Sequence, residues 1–190
     1  MDDTVEGYLR RFVELAARLI GARRVVEMGS GYGYSAYWFA RAVGPGGEVV
    51  CTDGDPDNAA LAEAAEGRGP RAEEYLTAAG LWDRVRYRVG DALTGLAAES
   101  DEFDVIYCDV DKLGYSDCWR AARDRIRVGG LWLCDNVIWS GRVATGEDRN
   151  GAPGATAAIR EVNRLVAEDD RYVGSIIPIR DGVQAALRIA

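Results

Sequence analysis

Apolar side chains recur at helical spacing near the start of the chain (Leu9, Phe12, Val13, Leu15, Ala16, Leu19, Ile20), which predicts a helix over about residues 5–20 that Gly21 ends. The pattern then changes to short apolar runs. Residues 24–28 read as a strand running into the turn Gly29-Ser30-Gly31-Tyr32-Gly33, and a helix over about 35–43 is closed by Gly44-Pro45-Gly46-Gly47. The alternation continues with strands over 48–52, 85–89, 103–108 and 131–134. Helices are expected over 57–66, 72–79, 117–127 and 156–168. Gly67-Arg68-Gly69-Pro70 breaks the helix at 57–66, and Gly129-Gly130 stops the one at 117–127. Two last runs, 172–178 and 183–189, can pair as an antiparallel hairpin across Asp181-Gly182. Strand and helix alternating about five times predicts an α/β fold, a doubly wound and mostly parallel sheet with helices on both faces. With no internal repeat and no linker, the chain is expected to be a single domain over 1–190.

Such a sheet binds ligands outside the carboxyl ends of its strands. Here five strands deliver acid toward that edge: Glu27, Asp53, Asp91, Asp109 with Asp111, and Asp135 beside Asn136. The glycine turn allows a tight bend and close approach of backbone to a ligand, but Tyr34 stands where a dinucleotide fingerprint needs its third glycine. That argues against a nicotinamide-dependent oxidoreductase. Ser35, at the start of the next helix, suits a carboxylate, and Asp53 lies at the distance expected for gripping ribose hydroxyls. A nucleoside joined to a carboxylate rather than a pyrophosphate describes S-adenosylmethionine.

The second cluster, Asp109-Val110-Asp111-Lys112 with Asp135-Asn136, offers two carboxylates and an amide oxygen from adjacent strand ends. That is a hard, oxygen-rich set, suited to Mg²⁺ or another divalent cation that favours the ionised form of a bound hydroxyl. Lys112, the only lysine in the chain, is the candidate general base beside it.

Composition narrows the chemistry. The chain has no histidine, which excludes histidine bases and Ser-His-Asp triads. Cys51, Cys108, Cys118 and Cys134 show no C-x-x-C pairing and read as buried, reduced thiols rather than a zinc site. Acidic residues outnumber basic ones 31 to 23, for a net charge of −8, which argues against a nucleic-acid partner. Arg120, Arg123, Arg125 and Arg127 read as a solvated helix face. No apolar run approaches the roughly 20 residues that cross a bilayer. The acidic start Met1-Asp2-Asp3-Thr4 lacks a secretion signal, so a cytoplasmic location is expected.

The stretches E-M-G-S-G-Y-G-Y-S, C-T-D-G-D-P, V-G-D-A, Y-C-D-V-D-K and C-D-N-V-I-W-S-G-R-V resemble the divalent-metal-dependent O-methyltransferases, among them the catechol and caffeoyl-coenzyme A enzymes. The resemblance covers about residues 21–190. It implies a Rossmann-like class I methyltransferase fold with a seven-stranded sheet and an antiparallel C-terminal hairpin. It implies Asp109, Asp135 and Asn136 as metal ligands and Lys112 as the base. Glu27, Gly29, Tyr32 and Ser35 would line the methionine end of S-adenosylmethionine, with Asp109 near its amino group, while Asp53 holds the ribose and Gly90, Asp91 and Ala92 face the adenine. Trp139, Ser140 and Arg142 would form the substrate side.

The implied acceptor is a small hydroxylated molecule, a vicinal-dihydroxy aromatic in the first instance. Some relatives methylate hydroxylated uridine in transfer RNA, and a non-catalytic S-adenosylmethionine-binding protein is the other alternative. Family members are commonly homodimers, and the apolar face of the first helix, beyond what the core needs, is one candidate surface. Three features depart from the family: a short lid made of the N-terminal helix alone, the Gly67–Pro70 insertion, and Val110 where the catechol enzymes carry a polar residue.

Overall fold

The structure, a computed structural model, describes residues 5–55, 72–148 and 152–190. The helix expected over 57–66 and the Gly67–Pro70 break lie outside the described residues. Helix α1 (Val5–Leu19) leads into β1 (Arg24–Met28), α2 (Tyr34–Val43) and β2 (Glu48–Asp53). Next come α3 (Ala72–Ala78), β3 (Val85–Val89), α4 (Ala92–Ala97) and β4 (Phe103–Cys108). Then follow α5 (Tyr115–Ala122), β5 (Ile126–Cys134), α6 (Ala155–Ala167), β6 (Tyr172–Ile177) and β7 (Val183–Arg188).

The strands form one sheet in the order β3-β2-β1-β4-β5-β7-β6. β1 to β5 run parallel, while β7 is antiparallel to both β5 and β6. This is the expected doubly wound α/β arrangement with its C-terminal hairpin. The order reverses between β1 and β4, so the loops after these two strands part to opposite sides and leave a crevice.

β1 shows why the strands read as apolar runs. Val25, Val26, Glu27 and Met28 are all fully buried because helices cover both faces. Alternation sends Val25 into one core with Val13, Phe39, Val49 and Tyr107. Val26 and Met28 enter the other, with Ile106, Trp119, Trp132 and Ile159. α1 buries Leu9, Val13, Ala16 and Ala17 at helical spacing and leaves Tyr8, Leu15 and Leu19 exposed. All four cysteines are free and buried. Among the described residues, no helix is long and apolar enough to cross a membrane.

Two expectations need correction. The helix expected over 117–127 stops at Ala122, because the Arg125 backbone N–H turns back to Ala122 (2.8 Å) and its carbonyl accepts from Phe103 at the start of β4 (2.7 Å). Gly129-Gly130 therefore sits inside β5, where the register with β4 shifts, rather than ending a helix. The four arginines accordingly form no common helix face. Arg120 pairs with Asp117, Arg123 lies 3.6 Å from Asp169, Arg125 caps the carbonyls of Leu96, Glu99 and Asp101, and Arg127 pairs with Asp104.

Trp119 is fully buried, edge-on to Trp132 (5.3 Å between centroids) and to Tyr172 (4.8 Å). Among the described residues its indole N–H has no hydrogen-bond partner, so truncation forfeits packing alone. Trp119→Ala should lower stability by about 3–5 kcal/mol in urea unfolding. A loss under about 1 kcal/mol would show that this core collapses to fill the space.

Candidate active site

The crevice is held open by backbone. Asp109 N–H donates to the Met28 carbonyl (2.9 Å), and a Cβ on Gly29 would collide with the Asp109 carbonyl. Gly29 also has φ 86°, so both space and conformation require glycine. The N–H groups of Gly29 and Ser30 both donate to the Thr52 carbonyl (2.9 Å each), which ties the turn to β2. Asp53, ending β2, accepts from Gly31 N–H at 2.7 Å and from Asp55 N–H at 2.9 Å.

Around this point lies a cleft of roughly 360 Å³ walled by Gly29, Asp53, Gly90, Asp91, Ala92 and Asp109, together with Thr52, Gly54, Asp55, Val110 and Asp111. Six of the residues expected at the cofactor thus share one wall. Asp91 also caps α4: one carboxylate oxygen accepts from Thr94 N–H (2.8 Å) and Thr94 O–H (2.9 Å), and these bonds hold its carboxyl below the usual range.

Glu27, Tyr32 and Ser35 are placed differently. Glu27 is fully buried beneath the turn, where its two oxygens accept from the Ser30 and Ser35 hydroxyls. Burial, only partly offset by those hydroxyls, pushes its carboxyl up to about 7. Tyr32 is exposed, outside the cleft.

The second cluster assembles at the ends of β4 and β5. Cys108 and Cys134 are register partners, so Asp109 and Asp135 are the next residues on neighbouring strands. Asp135 is buried, and burial followed by the charge of Asp109 pushes its carboxyl up to about 6. One Asp135 oxygen accepts from Asn136 N–H (2.7 Å). Lys112 Nζ lies 3.0 Å from Asp109, 3.3 Å from the Val110 carbonyl and 4.9 Å from the centre of the Tyr115 ring.

Two mutually repelling carboxylates beside a carboxamide fit a hard divalent cation chemically. Among the described residues no group of three or more His, Cys, Asp or Glu side chains converges as metal ligands.

A second pocket of roughly 320 Å³ adjoins this cluster, walled by Val110, Asp111, Lys112, Leu113, Trp139, Ala152, Pro153 and Ala155. Of the expected substrate-side residues only Trp139 lines it; Ser140 and Arg142 lie beyond, in the short turns that follow Trp139. Sequence reasoning missed the far wall, Ala152 to Ala155, whose place is set by Asp148 accepting from Gly154 N–H (2.7 Å) and Thr156 N–H (3.0 Å). It also missed Arg180, whose guanidinium lies 3.0 Å from Asp135.

The O-methyltransferase family profile matches residues 4–189. A catechol O-methyltransferase of Niastella koreensis is 30% identical over 171 residues, covering 88% of this chain and 72% of that enzyme. The O-methyltransferase TomG of Streptomyces achromogenes, involved in tomaymycin synthesis and solved with S-adenosylmethionine, superposes with a TM-score of 0.81 at 28% identity, over 96% of this chain and 80% of TomG. An O-methyltransferase of Bacillus cereus, solved with S-adenosylhomocysteine, gives 0.77 at 28% identity, over 95% of this chain and 81% of that one.

The Glu27 environment predicts a pH dependence. Because the folded state raises this carboxyl from 4.5 to about 7, folding favours its neutral form. Its contribution is complete below about pH 4.5 and is lost as pH rises through 7. Glu27→Gln, permanently neutral, should therefore gain on the wild type by about 3 kcal/mol between pH 4.5 and 8, read from urea unfolding at each pH. A wild-type-to-variant difference that stays flat across that range would contradict the assignment.

Proposed function

The chain belongs to the O-methyltransferase family, and on that premise we propose that it uses S-adenosylmethionine to methylate one hydroxyl of a small vicinal-dihydroxy aromatic. One observation carries the acceptor side of this reading: the acid-rimmed cleft and the second pocket share Val110 and Asp111, and the Lys112–Asp109 contact of 3.0 Å joins them. A donor in the first and a hydroxyl in the second would meet beside the one lysine of the chain.

In this reading Asp53 accepts from the ribose hydroxyls, its carboxylate already oriented by the Gly31 and Asp55 N–H groups. Gly29 lets the backbone approach the methionine end, and Glu27 with Ser35 holds that turn from below, with Tyr32 on the outer rim. Gly90, Asp91 and Ala92 face the adenine. Trp139 gives the aromatic acceptor a flat wall.

S-adenosylmethionine would supply a methyl group on a sulfonium, whose S–CH3 bond breaks as an oxygen nucleophile forms the O–CH3 bond and neutral S-adenosylhomocysteine leaves. Asp109, Asp135 and Asn136 would hold a divalent cation, whose chemistry is to favour the ionised hydroxyl. Lys112 would accept the hydroxyl proton at Nζ as the neutral amine, after its ammonium has given one proton to solvent and its contact with Asp109 has been released. Most of the rate gain on this scheme is positioning of two reactants in adjoining pockets, with proton removal contributing the remainder.

Transfer RNA as acceptor draws no support from the arginines near α5, since each is committed to a carboxylate or a carbonyl partner.

Lys112→Ala should cut kcat for a catechol-type acceptor by on the order of 10² or more, with affinity for S-adenosylmethionine within about twofold of wild type by calorimetry. Full turnover in the variant would remove the base role. Cofactor binding by the wild type without transfer to any vicinal diol would keep the donor and discard this acceptor class.

A further inference from the structure

The hairpin turn between β6 and β7 is clamped onto the loop that follows β5. Val137 N–H donates to the Gly182 carbonyl (3.1 Å), Ile138 N–H donates to the Asp181 carbonyl (2.8 Å), and Ser140 N–H donates to the Asp181 carboxylate. Gly182, at φ 85°, packs so closely that a Cβ there would enter the Ile138 side chain. Within this clamped turn, closed by Gly182 N–H on the Ile179 carbonyl (2.9 Å), Arg180 adopts φ 53°. That left-handed backbone is disfavoured for a side chain of this size, and such conformations persist where the surroundings impose them.

The consequence is the direction of the guanidinium. It reaches Asp135 Oδ2 at 3.0 Å, while the other oxygen of that carboxylate is taken by Asn136 N–H at 2.7 Å. The Asp135 side chain is only 1% exposed, so little water shares the interaction, whereas Arg180 is 41% exposed. Guanidinium cannot shed its charge by losing a proton, so it can make way for another cation only by moving.

We propose that Arg180 competes with the divalent cation for Asp135, an inference that rests on the reading of Asp109, Asp135 and Asn136 as the ligands of that ion. The guanidinium is a built-in counter-ion that keeps the buried carboxylate compensated before the ion arrives and sets how tightly the ion is held. Lys112 is the analogous partner of Asp109, but that carboxylate is 34% exposed and solvent screens the pair.

The test is binding of Mn²⁺ alone, followed by the electron paramagnetic resonance signal of the free ion at fixed ionic strength, to wild type and three variants. Arg180→Gly suits the φ of this position and should bind Mn²⁺ about tenfold or more tightly than wild type, the scale of a close charge pair. Arg180→Gln, which drops the charge and keeps much of the length, should move in the same direction and guards against a folding defect in the glycine variant. Asp135→Asn should lose the ion. Equal or weaker binding in both Arg180 variants, with loss in Asp135→Asn, would overturn the competition and leave the ion site standing. Absence of binding in every protein, or binding that Asp135→Asn leaves intact, would overturn the ion site and the competition together.

Discussion

Between the carboxyl ends of β1 and β4, the backbone at Gly29 runs so close to the Asp109 carbonyl that no side chain could stand there. The sheet order reverses at this point, and the Asp109 N–H bond to the Met28 carbonyl pins one loop to the other. Asp109 consequently faces the cleft on one side and Lys112 on the other. β5 lies next to β4 in register, so the same contact fixes where Asp135 stands. The acid-rimmed cleft and the second pocket are adjacent because the loops after β1 and β4 are held within one backbone hydrogen bond of each other.

The acidic edge is handled one carboxylate at a time. Asp53 is met by backbone N–H groups, Asp91 by Thr94, Glu27 by two hydroxyls, Asp109 by Lys112 and Asp135 by Arg180. The environments push these acids apart. Asp91, exposed and well hydrogen-bonded, is held low, whereas burial pushes Glu27 and Asp135 up. Glu27 serves the turn from beneath it, and the pair at β4 and β5 is where each carboxylate has its own cation, Lys112 for Asp109 and Arg180 for Asp135.

Strands β1, β2 and β4 were legible almost to the residue, because parallel strands buried on both faces stand out as apolar runs bounded by glycine or acid, and the edge strand β3 through its alternation of apolar or aromatic residues with arginine. β5 was not: Arg125, Arg127 and Gly129-Gly130 resemble the basic end and glycine stop of a helix, and only the neighbouring β4 backbone draws that segment into the sheet. α4 is too short for its spacing to register. The acids at the strand ends could be read from their positions in the chain, and six of the expected cofactor residues do share one cleft. The sequence could not convey that alternation along β1 turns Glu27 inward, or that Arg180 would point at Asp135. That last contact depends on a left-handed backbone imposed by the clamp on Ile138, which is a tertiary effect with no local signature.

The central claim is that the paired strand ends at Asp109 and Asp135 form the acceptor site of a methyl transfer. The most direct measurement is transfer of labelled methyl from S-adenosylmethionine to a vicinal-dihydroxy aromatic and to its monohydroxy counterpart, with saturating Mg²⁺ and with EDTA. The account predicts transfer to the diol alone, abolished by EDTA. Equal transfer to both acceptors, undiminished by EDTA, would contradict it.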